Sequence, residues 1–185
     1  MDENRKQKIL DHTNNLGVDV AIVATNADVR KDIVKELLGS KKIKYLILEK
    51  VAFQSVEDFQ EVLNLLDKHG VPAWVNCSRR MYSIYQEIKN SFRKNERLFM
   101  NVHGGGWGLG SNGIHLIDLL SFLTGELYLE IDNNSLDTSL EVSHRSGAIE
   151  FTGRLSGRFQ NWSEFSMISL KNSKLIPSMI ILGGG

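Results

Sequence analysis

Residues 103–120, "HGGGWGLGSNGIHLIDLL", hold two sets of residues able to do chemistry. Gly108, Gly110 and Gly113 form a complete G-x-G-x-x-G, and Glu130 and Asp132 follow about two dozen residues after Gly108. In a dinucleotide-binding loop such glycines let backbone N–H groups approach a pyrophosphate at a helix N-terminus. His115 and Asp118 come next, on one face of a helix that is otherwise almost all apolar. An imidazole is the side chain best suited to acid/base work near neutral pH. The structural alternative is a histidine and an aspartate that each satisfy a buried hydrogen bond. Two ligands at this spacing are too few for a metal site.

Further candidates sit at the ends of apolar runs. Glu49 and Lys50 close "KYLILE", and Arg79 and Arg80 follow "PAWVNC". Carboxyl ends of parallel strands are where α/β sheets hold ligands. A lysine there can hydrogen-bond a substrate hydroxyl or carbonyl, or it can simply leave the sheet into water. The two arginines can contact phosphate or a substrate oxygen, or flank a helix start. Trp107, a large aromatic inside the glycine stretch, is a candidate pocket wall. The single cysteine, Cys77, has no neighbouring base in sequence and reads as a small buried hydrophobe.

The elements that must position these residues follow a rhythm. Residues 3–16 are polar with weak helical spacing. "DVAIVAT" (19–25) is a continuous apolar run and predicts a strand covered on both faces. Val29, Ile33, Leu37 and Leu38 predict a helix ended by Gly39. A second strand over 44–49 precedes a helix opened by Ser55 and Asp58 as a capping box and stopped by Gly70. A third strand (72–77) and helix (81–92) complete a β-α-β-α-β-α series, hence a parallel sheet. Beyond residue 95 the pattern changes to one helix, stopped by Gly125, and several strands from Ala148 on, with a turn at Leu155-Ser156-Gly157. The prediction is a partial Rossmann-like parallel sheet over 1–95 and part of an α+β domain with a mostly antiparallel open sheet over 96–185. Because the series precedes the glycine stretch, the G-x-G-x-x-G is better read as a loop entering a catalytic helix, or as close backbone packing, than as a phosphate cradle.

Composition narrows the function classes. The 185 residues carry a formal net charge of zero, which gives no electrostatic footprint for nucleic acid or an anionic membrane. No apolar run approaches a membrane span, no signal-peptide core opens the chain, and one cysteine suits a reducing compartment. The expected location is the cytoplasm. Both ends are abrupt, so elements are expected to be missing on both sides.

The motifs taken in order resemble the glucose-fructose oxidoreductase/inositol dehydrogenase/MocA (Gfo/Idh/MocA) family of NAD(P)-dependent oxidoreductases. The resemblance rests on Ala24-Thr25-Asn26, Glu49-Lys50-Val51, Asn76-Cys77-Ser78-Arg79-Arg80, and Ser111 through His115 to Asp118. It implies a nicotinamide cofactor, NAD or NADP, touched by Ala24, Thr25, Asn26, Glu49, Lys50 and Arg79, with the main phosphate loop upstream of Met1. It implies His115 as acid/base and Lys50 as the group polarising the substrate oxygen. Ser111, Asp118, Trp107 and Arg80 would line the substrate, a sugar, cyclitol or nucleotide-sugar. A homo-oligomer is implied for an intact chain. Two positions depart from the family pattern. Ser111 stands where an aspartate is usual and cannot stabilise an imidazolium by charge, and Val51 replaces a proline that would restrain the peptide. The alternatives are a non-catalytic relative that binds a sugar or a protein partner, and a dehydratase or epimerase that uses NAD transiently.

Overall fold

The computed structural model describes residues 17–40, 42–143 and 149–184. The predicted polar helix over 3–16 and the strand start at Ala148 lie outside them. The chain divides into two units, the first running through Asn76 and the second from Cys77.

In the first unit β1 (Val18–Val23), α1 (Ala27–Ser40), β2 (Ile43–Leu48), α2 (Val56–His69) and β3 (Ala73–Val75) alternate as the apolar rhythm requires. The strands form a parallel sheet in the order β1-β2-β3. The capping box is present, with the Asp58 N–H donating to Ser55 Oγ at 3.1 Å. Gly70 takes φ 63°, the left-handed conformation that ends α2. Val23, Leu46 and Leu48 on one sheet face pack with Val34 and Leu38 of α1 and Val62 and Leu66 of α2.

The other sheet face departs from the sequence reading of a strand covered on both sides. Val20, Ile22, Tyr45 and Trp74 are 47%, 68%, 47% and 55% exposed. A continuous apolar run shows that both faces are hydrophobic, but not that both are covered. The helical stripe is also rotated. Val29 is exposed, and the buried positions of α1 are Arg30, Val34 and Leu38. Arg30 is in register with the apolar stripe at i, i+4, i+8, a signal masked by its charge.

The second unit opens with a 3-10 turn (Ser78–Met81) and α3 (Ser83–Ser91). Tyr85, Ile88 and Phe92 of this segment pack on the second core, and Lys89 Nζ donates to Phe122 O at 2.7 Å. Residues 77–95 therefore group with the second unit, whereas the change of sequence rhythm had placed the boundary at 95. β4 (Arg97–Gly105), α4 (Leu109–Thr124), β5 (Leu129–Leu136), β8 (Gly153–Phe159), β9 (Glu164–Leu170) and β10 (Ser178–Gly184) follow, with the short pair β6 (Glu141–Val142) and β7 (Ile149–Glu150) between β5 and β8.

The large sheet has the order β10-β4-β9-β8-β5. Only β4 and β9 pair in parallel, so it is mostly antiparallel. Leu98, Met100, Val102, Phe159, Phe165 and Met167 of its strands pack with Leu116, Leu119, Leu120 and Leu123 of α4. The predicted turn at Leu155-Ser156-Gly157 is strand instead. Gly157 sits inside β8 paired with Phe165, because a Cβ there would meet the Phe165 ring at 2.6 Å. The chain turns later, where Trp162 takes φ 68°.

Candidate functional site

The site is built outward from α4. Gly108, at φ 75°, is its N-cap, and the helix's first turn carries no acidic residue. The exposed N–H groups of a helix start attract negative charge. Here they have a tenant: Glu150 Oε2, from β7, accepts from the Gly110 N–H at 2.9 Å and the Ser111 N–H at 3.3 Å. The N–H groups that a pyrophosphate would need already meet a carboxylate, so Gly108, Gly110 and Gly113 do not form a phosphate cradle. Glu130, an acidic residue of the apparent fingerprint, pairs with Arg158 at 3.1 Å and is 82% exposed. The glycine run instead permits close packing. A Cβ on Gly105 would lie 2.0 Å from Ser173 O, and one on Gly110 2.8 Å from the Phe151 ring. Glu150 escapes sequence reasoning because its partner lies 40 residues away and only the sheet brings them together.

Ser111, His115 and Asp118 share one face of α4, all half-buried. Ser111 Oγ donates to Gly108 O at 3.3 Å. Asp118 accepts a fork from Arg80: Nε donates to Oδ2 at 3.0 Å and Nη2 to Oδ1. The hydrogen-bonded carboxylate raises the Arg80 guanidinium pKa above its ordinary value. This pair ties the 3-10 turn to α4, and the guanidinium also lies 5.8 Å from the Phe122 ring. Two of the predicted substrate residues are thus joined to each other.

Trp107 fixes the loop ahead of α4. Its Nε1 donates to Ile168 O at 2.8 Å, and its carbonyl accepts from Asn112 Nδ2 at 2.8 Å. It lines two cavities of about 390 Å³ each. One also holds Ser111, Asn112 and Glu150; the other holds Arg79, Asn112, Leu116 and Met179. A larger hollow of about 560 Å³ spreads over Asn101, Glu130, Arg154, Arg158 and Glu164 of the sheet and does not include His115.

Lys50 and its neighbours belong to the first unit. Glu49 closes β2, and its carboxylate accepts from the Lys50 N–H at 3.0 Å and from Asn76 Nδ2 at 3.3 Å. Glu49 therefore braces the ends of β2 and β3, a structural task. Ala24, Thr25 and Asn26 lie between β1 and α1, at the carboxyl end of a parallel strand. Thr25 Oγ1 is buried with no hydrogen-bond partner. A buried hydroxyl left unsatisfied beside a strand end suits a ligand that both donates and accepts hydrogen bonds. That fits the ribose side of a dinucleotide. No glycine occurs in the β1–α1 turn to admit a pyrophosphate. Arg79, assigned to the cofactor by sequence, lies in the second unit. Among the described residues no helix is long and apolar enough to cross a membrane, and no group of three or more His, Cys, Asp or Glu is arranged to hold a metal.

A parallel three-stranded sheet with helices and a mostly antiparallel sheet backed by one helix define a Rossmann-like α/β fold. Its structural neighbours include dehydrogenases of the Gfo/Idh/MocA type. The WlbA dehydrogenase of Bordetella pertussis, solved with NADH and UDP-GlcNAcA, superposes with a TM-score of 0.69 at 20% identity over 96% of this chain and 60% of that one. The MviM dehydrogenase of Clostridium difficile gives 0.62 at 18% identity, over 98% of this chain and 63% of that one. A super-repressor mutant of Gal80p from Saccharomyces cerevisiae gives 0.66 at 15% identity, over 90% of this chain and 53% of that one. The chain thus spans between about half and two thirds of the length of these proteins. No protein-family model and no curated protein matches the sequence.

Proposed function

We propose that the chain belongs to a nicotinamide-dependent oxidoreductase of the Gfo/Idh/MocA type, acting at a hydroxyl-bearing carbon of a sugar, cyclitol or nucleotide-sugar. The observation that carries this reading is the face of α4. His115 stands between a helix start neutralised by Glu150 and the Asp118–Arg80 ion pair. That is a half-buried imidazole on a rigid element, as proton transfer requires.

When bound, the nicotinamide ring supplies or accepts the hydride. Ala24, Thr25, Asn26 and Lys50 would hold the cofactor, with Glu49 bracing the strand end and Arg79 available to an anionic group. His115 takes or returns the proton of the substrate hydroxyl. Lys50, at the end of β2 in the first unit, offers an ammonium able to hydrogen-bond a hydroxyl or carbonyl oxygen. Arg80 keeps its guanidinium oriented by Asp118, Ser111 offers a hydroxyl, and Trp107 forms an apolar wall. In this assignment the first unit is the partial nucleotide-binding part. The second is the catalytic part, and the intact protein is a homo-oligomer in this reading.

Titration with NADH and NADPH tests the reading directly. Saturable binding is expected, weakened about tenfold by Lys50→Ala. Sugar-dependent turnover followed at the nicotinamide absorbance is expected to fall about a hundredfold or more in His115→Ala with binding retained. Wild-type turnover in that variant would remove His115 from the chemistry.

A second reading, a non-catalytic binder of a sugar or protein partner, is favoured by Ser111 and by the likeness to Gal80p. Sugar binding without saturable binding of either nicotinamide, in a chain that also carries an upstream β-α-β unit with its phosphate loop, would select it.

A further inference from the structure

Arg30 is 2% exposed, yet no carboxylate is hydrogen-bonded to it. Its guanidinium is spent on main-chain carbonyls. The two N–H groups of Nη1 are shared among Glu49 O at 2.6 Å, Ala52 O at 2.9 Å and Val51 O, and Nη2 donates to Thr25 O. Three of these four carbonyls flank Lys50 on both sides, and the fourth belongs to the turn after β1. Burial lowers the Arg30 pKa, while the charges of Glu49 and Asp28 raise it. An arginine remains charged through such opposing effects.

An apolar side chain at this position would complete the stripe of Val34 and Leu38 at no desolvation cost. The arginine is accounted for by what it holds. Val51 leaves the peptide after Lys50 without the restraint of a proline ring. The guanidinium supplies a restraint from the side, fixing the carbonyls of residues 49, 51 and 52 against the end of β1.

We propose that Arg30 is a positioning residue for Lys50, clamping the main chain on both sides of it so that its ammonium leaves the end of β2 in one direction. The inference rests on the role given to Lys50 above, but its test does not depend on turnover.

The full chain is reductively methylated with 13C-formaldehyde, and the dimethyl-lysine resonance absent from Lys50→Arg is assigned to Lys50. A single Lys50 line is expected in the wild type. In Arg30→Ala that line is expected to split or shift toward the position of exposed lysines, with the other lysine lines unchanged. Millimolar guanidinium, far below denaturing concentration, should restore it by filling the vacated space. A folded Arg30→Ala whose Lys50 line matches the wild type overturns the proposal. So does a line that moves together with all the others and is not rescued. If Arg30→Ala does not fold, Arg30→Met carries the same test, since its side chain fills the apolar stripe and donates no hydrogen bond to these carbonyls. A Lys50 line unmoved there overturns the proposal, and one displaced alone upholds it. NADH titration of the same samples reports on the functional reading separately. A clamp upheld by NMR with no effect of Arg30 or Lys50 substitution on NADH binding removes Lys50 from the cofactor site while leaving Arg30's task intact.

Discussion

Glu150 shows how one side chain can change the meaning of a motif. Its carboxylate does for α4 what an N-cap residue does elsewhere, accepting from two N–H groups at the positive end of the helix dipole. Glu150→Gln keeps the shape but removes the charge. It is expected to destabilise the chain by about 1 kcal/mol, measured as a lowered urea midpoint with unchanged m. An unchanged midpoint would show that the carboxylate contributes nothing at this helix start. Arg30 and Glu150 were both missed by sequence reasoning for the same reason. Apart from the Arg30 contact to Thr25 O, each acts on backbone groups 19 to 40 positions away, and no spacing rule reaches that far. His115, Asp118 and Lys50 were legible as candidates because histidine on an apolar helix and lysine at a strand end conflict with their local setting. That Asp118 takes Arg80 as its partner was not legible.

Between elements, the surface of the first unit is laced by ion pairs. Lys31 of α1 reaches Asp58 and Glu61 of α2 at 2.6 and 3.3 Å, and Lys35 reaches Glu61 at 2.5 Å. Hydrogen bonds from these lysines hold Asp58 and Glu61 below the ordinary carboxylate pKa values. A carboxylate depressed in the folded state contributes stability above its unfolded pKa, and that contribution is lost as pH falls through the folded value. Lys31→Met should therefore lower the thermal midpoint near neutral pH. Near pH 2 it should leave the midpoint almost unchanged. Equal effects at both pH values would show that Lys31 acts by packing. The effect will be small and salt-sensitive, because the pairs are solvent-screened. In the second unit the Asp118–Arg80 fork joins the 3-10 turn to α4. Asp118→Asn should cost about 1–2 kcal/mol and release the 3-10 turn, seen as faster amide exchange over 78–82. Unchanged exchange there would show that α3 packing alone holds the turn.

At the scale of the whole molecule, the parallel sheet of the first unit shows an apolar face with Val20, Ile22 and Trp74 exposed. Large contiguous apolar surfaces of this kind bind hydrophobic dyes and promote association. Ile22→Lys should lower anilinonaphthalene sulfonate binding with the far-UV dichroism unchanged. Undiminished dye binding would place the accessible apolar surface elsewhere.

The alternation of apolar strands and amphipathic helices in the first half, the capping box at Ser55 and the glycine stops at Gly70 and Gly125 were determined by sequence alone. These are local properties, set by side-chain periodicity and φ/ψ preference within a few residues. Tertiary structure decided the rest. It gave residues 77–95 to the second unit, kept Leu155-Ser156-Gly157 in a strand, and, among the described residues, left one sheet face exposed. It also filled the helix start of an apparent cofactor loop with Glu150. Each of these depends on which distant backbone donors, rings and strands arrive at the same place, and that is settled by packing.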